Sequence, residues 1–163
     1  ADRHKESLHL EEFDLSELTE MVAEENQGLA ESKAVTLTAE IEPGILVKAD
    51  QTLLMRIWLN LLTNAVKYGR QQGQIWLTLK SDGKNAVGTV RDDGIGISAA
   101  ELPKIWKRFY RVNTARSSGD DSGTGLGLAM VKWMVESHGG TVSAVSTLGA
   151  GSTFSFTIPL RPS

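Results

Sequence analysis

Cysteine is absent from the 163-residue sequence, which excludes disulfides and metal sites built on thiolates. Long apolar runs are also absent: none approaches the roughly 18 residues that a membrane-spanning helix needs, and no signal-peptide pattern opens the chain. Nor is there an excess of basic residues, because 17 Lys and Arg face 20 Asp and Glu, for a net charge of −3. These absences predict a soluble domain that does not bind nucleic acid. The first residue is Ala rather than Met, which predicts a fragment of a longer protein.

The sequence does have enough apolar residues, 40%, for one domain with a core. Apolar residues that recur at helical spacing, or that alternate, predict the secondary structure. Helices are expected over 14–32, 50–68, 98–106 and 126–137, and strands over 35–41, 45–48, 75–80, 86–91, 141–146 and 153–158. Two capping pairs, Asp14 with Glu17 and Ser98 with Glu101, mark helix starts. This order predicts an α+β fold in which helices cover one face of a mostly antiparallel sheet.

The predicted helix over 50–68 has an unusual polar face. Asn60, Asn64, Lys67 and Tyr68 fall within an arc of about 100°, beside an apolar stripe. A solvent-facing surface ordinarily uses Glu, Lys or Gln, which form helices better than Asn. Amide oxygens can ligate a hard cation such as Mg²⁺, and an ammonium group can bind a phosphate. A polar face with a purely structural role is the alternative.

A glycine loop follows the strand predicted over 86–91. Gly94-Ile95-Gly96-Ile97-Ser98-Ala99 formally matches a dinucleotide-binding pattern. However, Asp92 and Asp93 stand where a pyrophosphate would approach, and like charges are unfavourable there. A carboxylate at the base of a glycine turn is suited instead to accept a hydrogen bond from an exocyclic amine, such as that of adenine.

A second glycine loop, Gly123-Thr124-Gly125-Leu126-Gly127-Leu128, leads directly into the last predicted helix. Glycines let backbone amides crowd an anion, and a helix N-terminus adds positive partial charge, so this loop is suited to hold phosphates. It is not a P-loop, because no Lys-Ser or Lys-Thr pair follows at the required spacing. Residues 111–123 lack apolar periodicity and are expected to form a mobile lid. The basic run from Lys104 to Arg116 indicates an anionic ligand nearby.

Together these segments resemble the catalytic ATP-binding domain of sensor histidine kinases, within the GHKL ATPase group. Asn60–Tyr68 (NLLTNAVKY) resembles the N box, Asp92–Ile97 (DDGIGI) the first glycine box, and Ile105–Arg111 (IWKRFYR) the F box. Gly123–Met130 (GTGLGLAM) resembles the second glycine box, and Gly149–Phe156 (GAGSTFSF) the last one. The resemblance extends from about residue 13 to residue 159. It implies a two-layer α/β sandwich with a mixed sheet.

The resemblance also implies roles for individual residues. Asn64 would ligate Mg²⁺ and Asp92 would accept the adenine N6 amine, with Tyr68 stacked near the base. Lys67 would bind a phosphate and Arg111 the γ-phosphate end, so the implied catalytic residues are Asn64, Lys67 and Arg111. The implied ATP-binding residues are Asn60, Asn64, Lys67, Tyr68, Asp92, Gly94, Gly96, Gly123, Thr124, Gly125, Leu126 and Gly127.

The family's organisation implies how this chain fits into a longer protein. Residues 1–12 would be a linker from an upstream dimerisation and phosphoacceptor domain, and residues 13–160 the catalytic domain, with an ATP lid at about 110–124. The domain would bind Mg-ATP and donate the γ-phosphate to a histidine of that separate domain, for relay to a response regulator. The fragment is expected to be monomeric and cytoplasmic, and the full-length protein a homodimeric, membrane-bound sensor.

Departures from the family pattern limit what the fragment is expected to do alone. Gly69 stands where Ser or Thr is commoner, which would loosen the helix end. Neither His4 nor His9 resembles the phosphoacceptor histidine, which in such kinases is followed by an acid and a Leu-Arg-x-Pro-like segment. Autophosphorylation within the fragment is therefore not expected.

Two other functions are compatible with the same sequence. One is a nucleotide-binding or scaffolding module that has lost catalysis, against which the presence of Asn64, Lys67 and Asp92 argues. The other is a GHKL relative that hydrolyses ATP or phosphorylates Ser or Thr. The F box and Arg111 favour the histidine-kinase branch over it.

Overall fold

The computed structural model describes residues 8–107, 110 and 127–162. Its helices are α1 (Leu15–Glu25), α2 (Gln27–Ser32), α3 (Gln51–Tyr68) and α4 (Gly127–Ser137). Its strands are β1 (Glu11–Asp14), β2 (Thr36–Ile41), β3 (Leu46–Ala49), β4 (Gln74–Ser81), β5 (Asn85–Asp92), β6 (Val142–Thr147) and β7 (Gly151–Pro159). None of the helices in these ranges has the length and apolar character that crossing a membrane requires.

Five of the strands form the main sheet, in the order β2-β4-β5-β7-β6. β2 runs parallel to β4, and the other three pairings are antiparallel. The expected α+β fold with a mixed, mostly antiparallel sheet is therefore confirmed. Both neighbours of β5 are antiparallel to it, which excludes the parallel βαβ unit of a dinucleotide-binding fold around the loop that follows this strand. β1 and β3 form a separate antiparallel pair.

Helices cover one face of the main sheet. Along β4, Ile75, Leu77 and Leu79 are buried, while the two residues between them are half-buried. The buried side belongs to one continuous core with the apolar stripes of α1, α3 and α4. The apolar side chains at every second position of the strands thus pack against those at helical spacing along α3. They form a single apolar layer, as the sequence pattern predicts.

An aromatic contact holds α3 against the sheet. The Trp58 ring is fully buried and meets Phe156 of β7 edge-on, with 4.9 Å between ring centroids. Its indole N–H donates to Thr19 Oγ1 at 2.9 Å, which satisfies the polar end of the ring. Both rings lie over Gly88 of β5, where a Cβ would come within 2.8 Å of Trp58 Cη2 and closer still to Phe156. The missing side chain makes room for the contact.

The start of α3 is connected to two distant parts of the chain. Asp50 caps the helix, because its Oδ1 accepts the Leu53 N–H at 3.1 Å. Its Oδ2 accepts the His9 N–H at 3.1 Å, and its own N–H donates to His138 Nε2 at 3.0 Å. His138 Nδ1 lies 2.7 Å from Met134 O, which places the ring proton on Nδ1. The segment before β1 and the end of α4 are therefore joined at one cap.

The prediction of a helix over 98–106 is wrong. Only a 3₁₀ turn forms, over Leu102–Lys104. The Ser98 hydroxyl still accepts the Glu101 N–H at 3.3 Å, but the Glu101 carboxylate accepts the Tyr110 hydroxyl at 2.5 Å and does not complete the capping box. Pro103 has no N–H to continue an α-helix from Ser98, so the turn stays short.

Two further local differences concern the N-terminal part. The single helix predicted over 14–32 is divided at Asn26, whose side-chain Nδ2 donates to Val22 O at 2.8 Å and competes with the helical backbone bonds. Glu11 and Glu12, placed by the sequence in the linker, belong to β1, which pairs with β3. That pairing joins residues far apart in sequence, so no local pattern signals it.

We expect Gly88→Ala to destabilise the domain by about 1–3 kcal/mol, because the added methyl group would overpack Trp58 and Phe156. Urea denaturation followed by tryptophan fluorescence would measure the change. Gly28→Ala is the matched control: apart from its chain neighbours and the backbone of its own helix, no atom lies within 4 Å of its added Cβ, so it should stabilise α2 by about 0.5–1 kcal/mol. Equal free energies of unfolding for Gly88→Ala and the parent would contradict the packing described above.

Candidate functional site

A narrow cleft lies between α3, the loop after β5, the start of α4 and the start of β7. It is lined by Asn64, Tyr68, Asp92, Ile95, Gly96, Ile97, Leu128, Ser152 and Phe154. Four of these, Asn64, Tyr68, Asp92 and Gly96, are residues that the sequence singled out. The cleft holds about 20 Å³ of space, enough for roughly one water molecule, so a larger ligand requires its walls to separate.

Asp92 is the one acid in the lining of this cleft, and its side chain is only 4% exposed. Burial raises the pKa of its carboxyl group from the usual 3.8 to about 6; backbone hydrogen bonds from Gly94 and Ser152 oppose the rise, and the Asp93 charge adds to it. The Gly94 N–H donates to Asp92 Oδ1 at 2.8 Å. At neutral pH the cleft therefore contains a fixed carboxylate with oxygen lone pairs available to a donor.

Asp93, next in the chain, has a different environment. Its Oδ1 accepts the N–H of Gln74 at 2.9 Å, so it holds the start of β4 against the loop. Because successive side chains of an extended strand point to opposite sides, one acid faces the cleft and the other supports the loop. The two adjacent carboxylates thus have separate roles.

The loop after β5 is held on the side of α3 by backbone contacts. Ile95 donates its N–H to Tyr68 O at 3.2 Å. Gly94 packs against the same carbonyl so closely that a Cβ at this position would overlap it. These contacts therefore fix the position of the end of α3 relative to the carboxylate of Asp92.

The β6–β7 hairpin holds the loop from the other side. The Gly149 N–H donates to Ile95 O at 2.7 Å, and the Ile97 N–H donates to Ser146 Oγ at 2.7 Å. Gly96 has a φ of +74° and lies against the carbonyl of Thr147, so only glycine fits there without strain. The last glycine-containing segment thus positions the first one.

Four predicted site residues are described but do not line the cleft: Asn60, Lys67, Gly94 and Gly127. The Asn60 amide nitrogen is 3.5 Å from Gly127 O, which connects α3 to the first turn of α4. Lys67 Nζ lies 5.3 Å from the centre of the Tyr68 ring. Five other predicted site residues lie outside the described residues: Arg111, Gly123, Thr124, Gly125 and Leu126. All of the predicted lid except residue 110 also lies outside them.

The structure adds lining residues that the sequence did not single out. Ser152 is 6% exposed, faces Asp92 in the β5–β7 register, and has its hydroxyl 2.8 Å from that of Ser146. Ile97, Leu128 and Phe154 supply apolar walls. Ser152 and Phe154 lie inside the glycine-box segment Gly149–Phe156, but only the strand register shows that Ser152 faces Asp92.

A family model described as "Histidine kinase-, DNA gyrase B-, and HSP90-like ATPase" matches residues 49–162. The chain belongs to this ATPase family. Among its members, the chain is similar to sensor histidine kinases: it is 37% identical over 161 residues to TmoS of Ectopseudomonas mendocina. That alignment covers 98% of this chain and 16% of TmoS, so the chain spans about a sixth of its relative.

Solved structures of this family have the same fold. The mycobacterial sensor histidine kinase MprB superposes with a TM-score of 0.81 at 29% identity, over 94% of this chain and 100% of that one. Full-length ShkA in complex with AMPPNP superposes with a TM-score of 0.82 at 30% identity, over 96% of this chain and 32% of ShkA. The predicted family and fold are confirmed, while the roles predicted for individual residues stay predictions.

We expect Asp92→Asn to raise the free energy of unfolding at pH 7.5 by about 1–3 kcal/mol. Burial raises the pKa of Asp92 from 3.8 to about 6, and Asn has no charge to bury. Because the pKa is raised in the folded state, that state retains its proton between about pH 4 and 6 when the unfolded chain has lost it. The parent therefore loses stability as pH rises through this window, and the variant should not.

Urea denaturation of parent and variant at several pH values from 4 to 7.5 would test this expectation. Asp93→Asn is the matched control and should give no comparable gain. It leaves the buried Asp92 carboxylate in place and removes only a minor cause of its raised pKa. A gain for Asp92→Asn that is the same at pH 4 and pH 7.5 would contradict the electrostatic cause.

Proposed function

We propose that this domain binds Mg-ATP and, in a longer protein, donates the γ-phosphate to a histidine of a separate dimerisation domain, for relay to a response regulator. Similarity to sensor histidine kinases supports a kinase activity in general. The observation that supports ATP most directly is the buried carboxylate of Asp92 in a cleft with apolar walls. A buried carboxylate that is held in place by the N–H of Gly94 is suited to accept a hydrogen bond from one exocyclic amine.

Adenine fits this environment chemically. Its N6 amine donates hydrogen bonds, and the Asp92 carboxylate accepts them, with the charge strengthened by the low local dielectric. The faces of a purine are apolar, as are Ile97, Leu128 and Phe154 around the cleft. Tyr68, with its ring at the same cleft, is proposed to pack near the base.

A magnesium ion also fits the donor set on α3. Among the described residues no group of three or more His, Cys, Asp or Glu side chains comes together as a metal site. Asn64 lines the cleft and has one amide oxygen that can serve as a ligand. Mg²⁺ commonly takes one or two protein ligands and completes its shell with phosphates and water. When bound with ATP, the ion would neutralise charge on the β- and γ-phosphates.

The chain's own contribution to phosphoryl transfer is positioning. Asp92 and Tyr68 would hold the base, and Asn64 would hold the phosphate end about one helical turn away on the same rigid helix. Lys67, beside Tyr68, is proposed to bind a phosphate oxygen, as is Arg111 from the lid. Because the transferred group carries its charge on oxygen atoms, orientation and charge neutralisation are the principal requirements of this reaction.

The longer protein is part of the proposal. The residues before β1 are proposed to connect the catalytic domain, which extends to about residue 160, to a dimerisation and phosphoacceptor domain. The full-length protein would be a homodimer with this domain on the cytoplasmic side of a membrane-bound sensor. The present chain, proposed to be a monomer, would bind ATP without an acceptor histidine of its own.

Asp92→Asn should weaken Mg-ATP binding by about tenfold to more than a hundredfold. The reason is that one charge-assisted hydrogen bond worth roughly 1.5–3 kcal/mol is lost and an amide donor can face the adenine amine. Isothermal titration calorimetry at pH 7.5, where the parent carboxyl is ionised, measures the affinity. Asp93→Asn, with the same change of charge beside the cleft, should bind close to the parent. Equal affinities for parent and Asp92→Asn would refute the assignment of Asp92 to the base.

Phosphoryl transfer distinguishes a histidine kinase from other members of the family. With radiolabelled ATP and a purified dimerisation domain from a similar sensor kinase, the label should appear on that domain in an acid-labile, base-stable form. Acid-stable label would indicate transfer to Ser or Thr. Phosphate release without labelling would indicate an ATPase, and ATP binding with neither would indicate a module without catalysis.

A further inference from the structure

Within the described ranges, no strand pairs with the outer edge of β2, which lies beside the acidic helix α1. β2 ends the main sheet, with β4 on one side only. Thr36 and Glu42 direct their N–H groups to β4, at 3.0 Å from Gly73 O and 2.9 Å from Leu79 O. In a parallel pair the backbone groups alternate in direction, so those of residues 35, 37, 39 and 41 point away from β4.

In the first half of this outer edge, the backbone groups already have hydrogen-bond partners. The Val35 N–H donates to Ala30 O at 2.9 Å, and Gln27 Nε2 donates to Leu37 O at 3.1 Å. Farther along, the outward N–H and C=O groups of Ala39 and Ile41 have no hydrogen-bond partner within the part of the chain that the structure describes. These groups open into a groove of about 340 Å³.

The opposite wall of the groove is formed by α1 and the first residue of α2. The groove is lined by Glu20, Ala23, Glu24, Gln27, Ala39 and Ile41. Neither of the two glutamates has an ion-pair partner among the described residues. The local charge is strongly negative: residues 17–42 contain seven Glu and one Lys, a net charge of −6 against −3 for the whole chain.

We infer that this groove, the β2–α1 groove, binds an extended, basic segment of a partner protein as an added strand beside β2. Ala39 and Ile41 would supply the main-chain hydrogen bonds, as in other cases of strand addition. Glu20 and Glu24 are four residues apart on a helix, a rise of about 6 Å, and alternate residues of a strand are about 6.6 Å apart. Basic side chains at positions i and i+2 of the added strand can therefore each meet one glutamate.

Charge also argues against a second copy of this chain as the occupant. Two β2 edges paired with each other would bring the glutamates of one α1 towards those of the other, and like charges at short range are unfavourable. Charged residues at a sheet edge also serve to prevent edge-to-edge aggregation. If the glutamates had only this protective role, no strand would bind beside β2. A binding experiment therefore distinguishes the protective role from the inferred one.

The test uses two synthetic peptides of identical composition. In Thr-Lys-Val-Lys-Val-Thr both lysines fall on one face of a strand, and in Thr-Lys-Lys-Val-Val-Thr they fall on opposite faces. Titrated into the ¹⁵N-labelled chain, the first peptide should shift the amide resonances of Ala39, Ile41 and the exposed face of α1, and the second should bind about fivefold more weakly. Equal binding of the two peptides, or no shifts with either, would overturn the inference.

Two kinds of variant test the two walls of the groove separately. Glu20→Gln with Glu24→Gln should weaken the first peptide about fivefold. The matched control, Glu25→Gln with Glu31→Gln, removes the same charge from exposed positions outside the groove and should leave binding unchanged. An equal loss in the control pair would show diffuse attraction to an acidic surface and overturn the inference.

Ala39→Pro tests the strand edge itself. It removes an outward N–H without removing a hydrogen bond to β4, so the fold should persist and peptide binding should be lost. An unchanged amide spectrum away from β2 verifies folding of this variant. Binding that survives Ala39→Pro would mean that the peptide lies on α1 by charge alone, which would also overturn strand addition.

Discussion

The position of α3 on the sheet is the constraint on which the candidate site depends. Trp58 meets Phe156 over Gly88, so the helix cannot rotate or slide without opening the core. That fixed position turns Asn64 and Tyr68 towards the end of β5, where Asp92 is buried. A helix held less firmly would present the same residue types without a defined distance to the acid. Core packing is therefore what converts a polar helix face into a cleft.

The buried carboxylate is costly to the fold and useful to the proposed function for the same reason. Removing Asp92 from water disfavours its charge and raises its pKa to about 6, while the Gly94 N–H partly compensates. In that same low-dielectric setting a hydrogen bond from a ligand amine is stronger than it would be at the surface. The fold is thus less stable because of the one acid in the lining of the cleft, which is the residue proposed to select the base.

Sequence patterns predicted most of the architecture, and the differences have physical causes. Periodicity and the cap at Asp50 located α3 correctly, because helix formation and capping depend on neighbouring residues. Pro103 and Asn26 interrupted predicted helices through local chemistry that the apolar pattern does not register. β1 was missed because its pairing with β3, residue by residue from Glu11 opposite Ala49, joins distant parts of the chain.

By itself, the sequence determined the family, the fold class and four members of the cleft: Asn64, Tyr68, Asp92 and Gly96. These follow from residue types at short spacing, in motifs whose order along the chain is specific. Only the tertiary structure decided that Asp92 is buried while Asp93 binds the backbone of Gln74. It alone decided that Ser152 lies opposite Asp92 on the neighbouring strand. It also decided that β2 ends the sheet beside an acidic helix. Strand register, burial and the direction of unpaired backbone groups arise from contacts between distant segments, which no local pattern encodes.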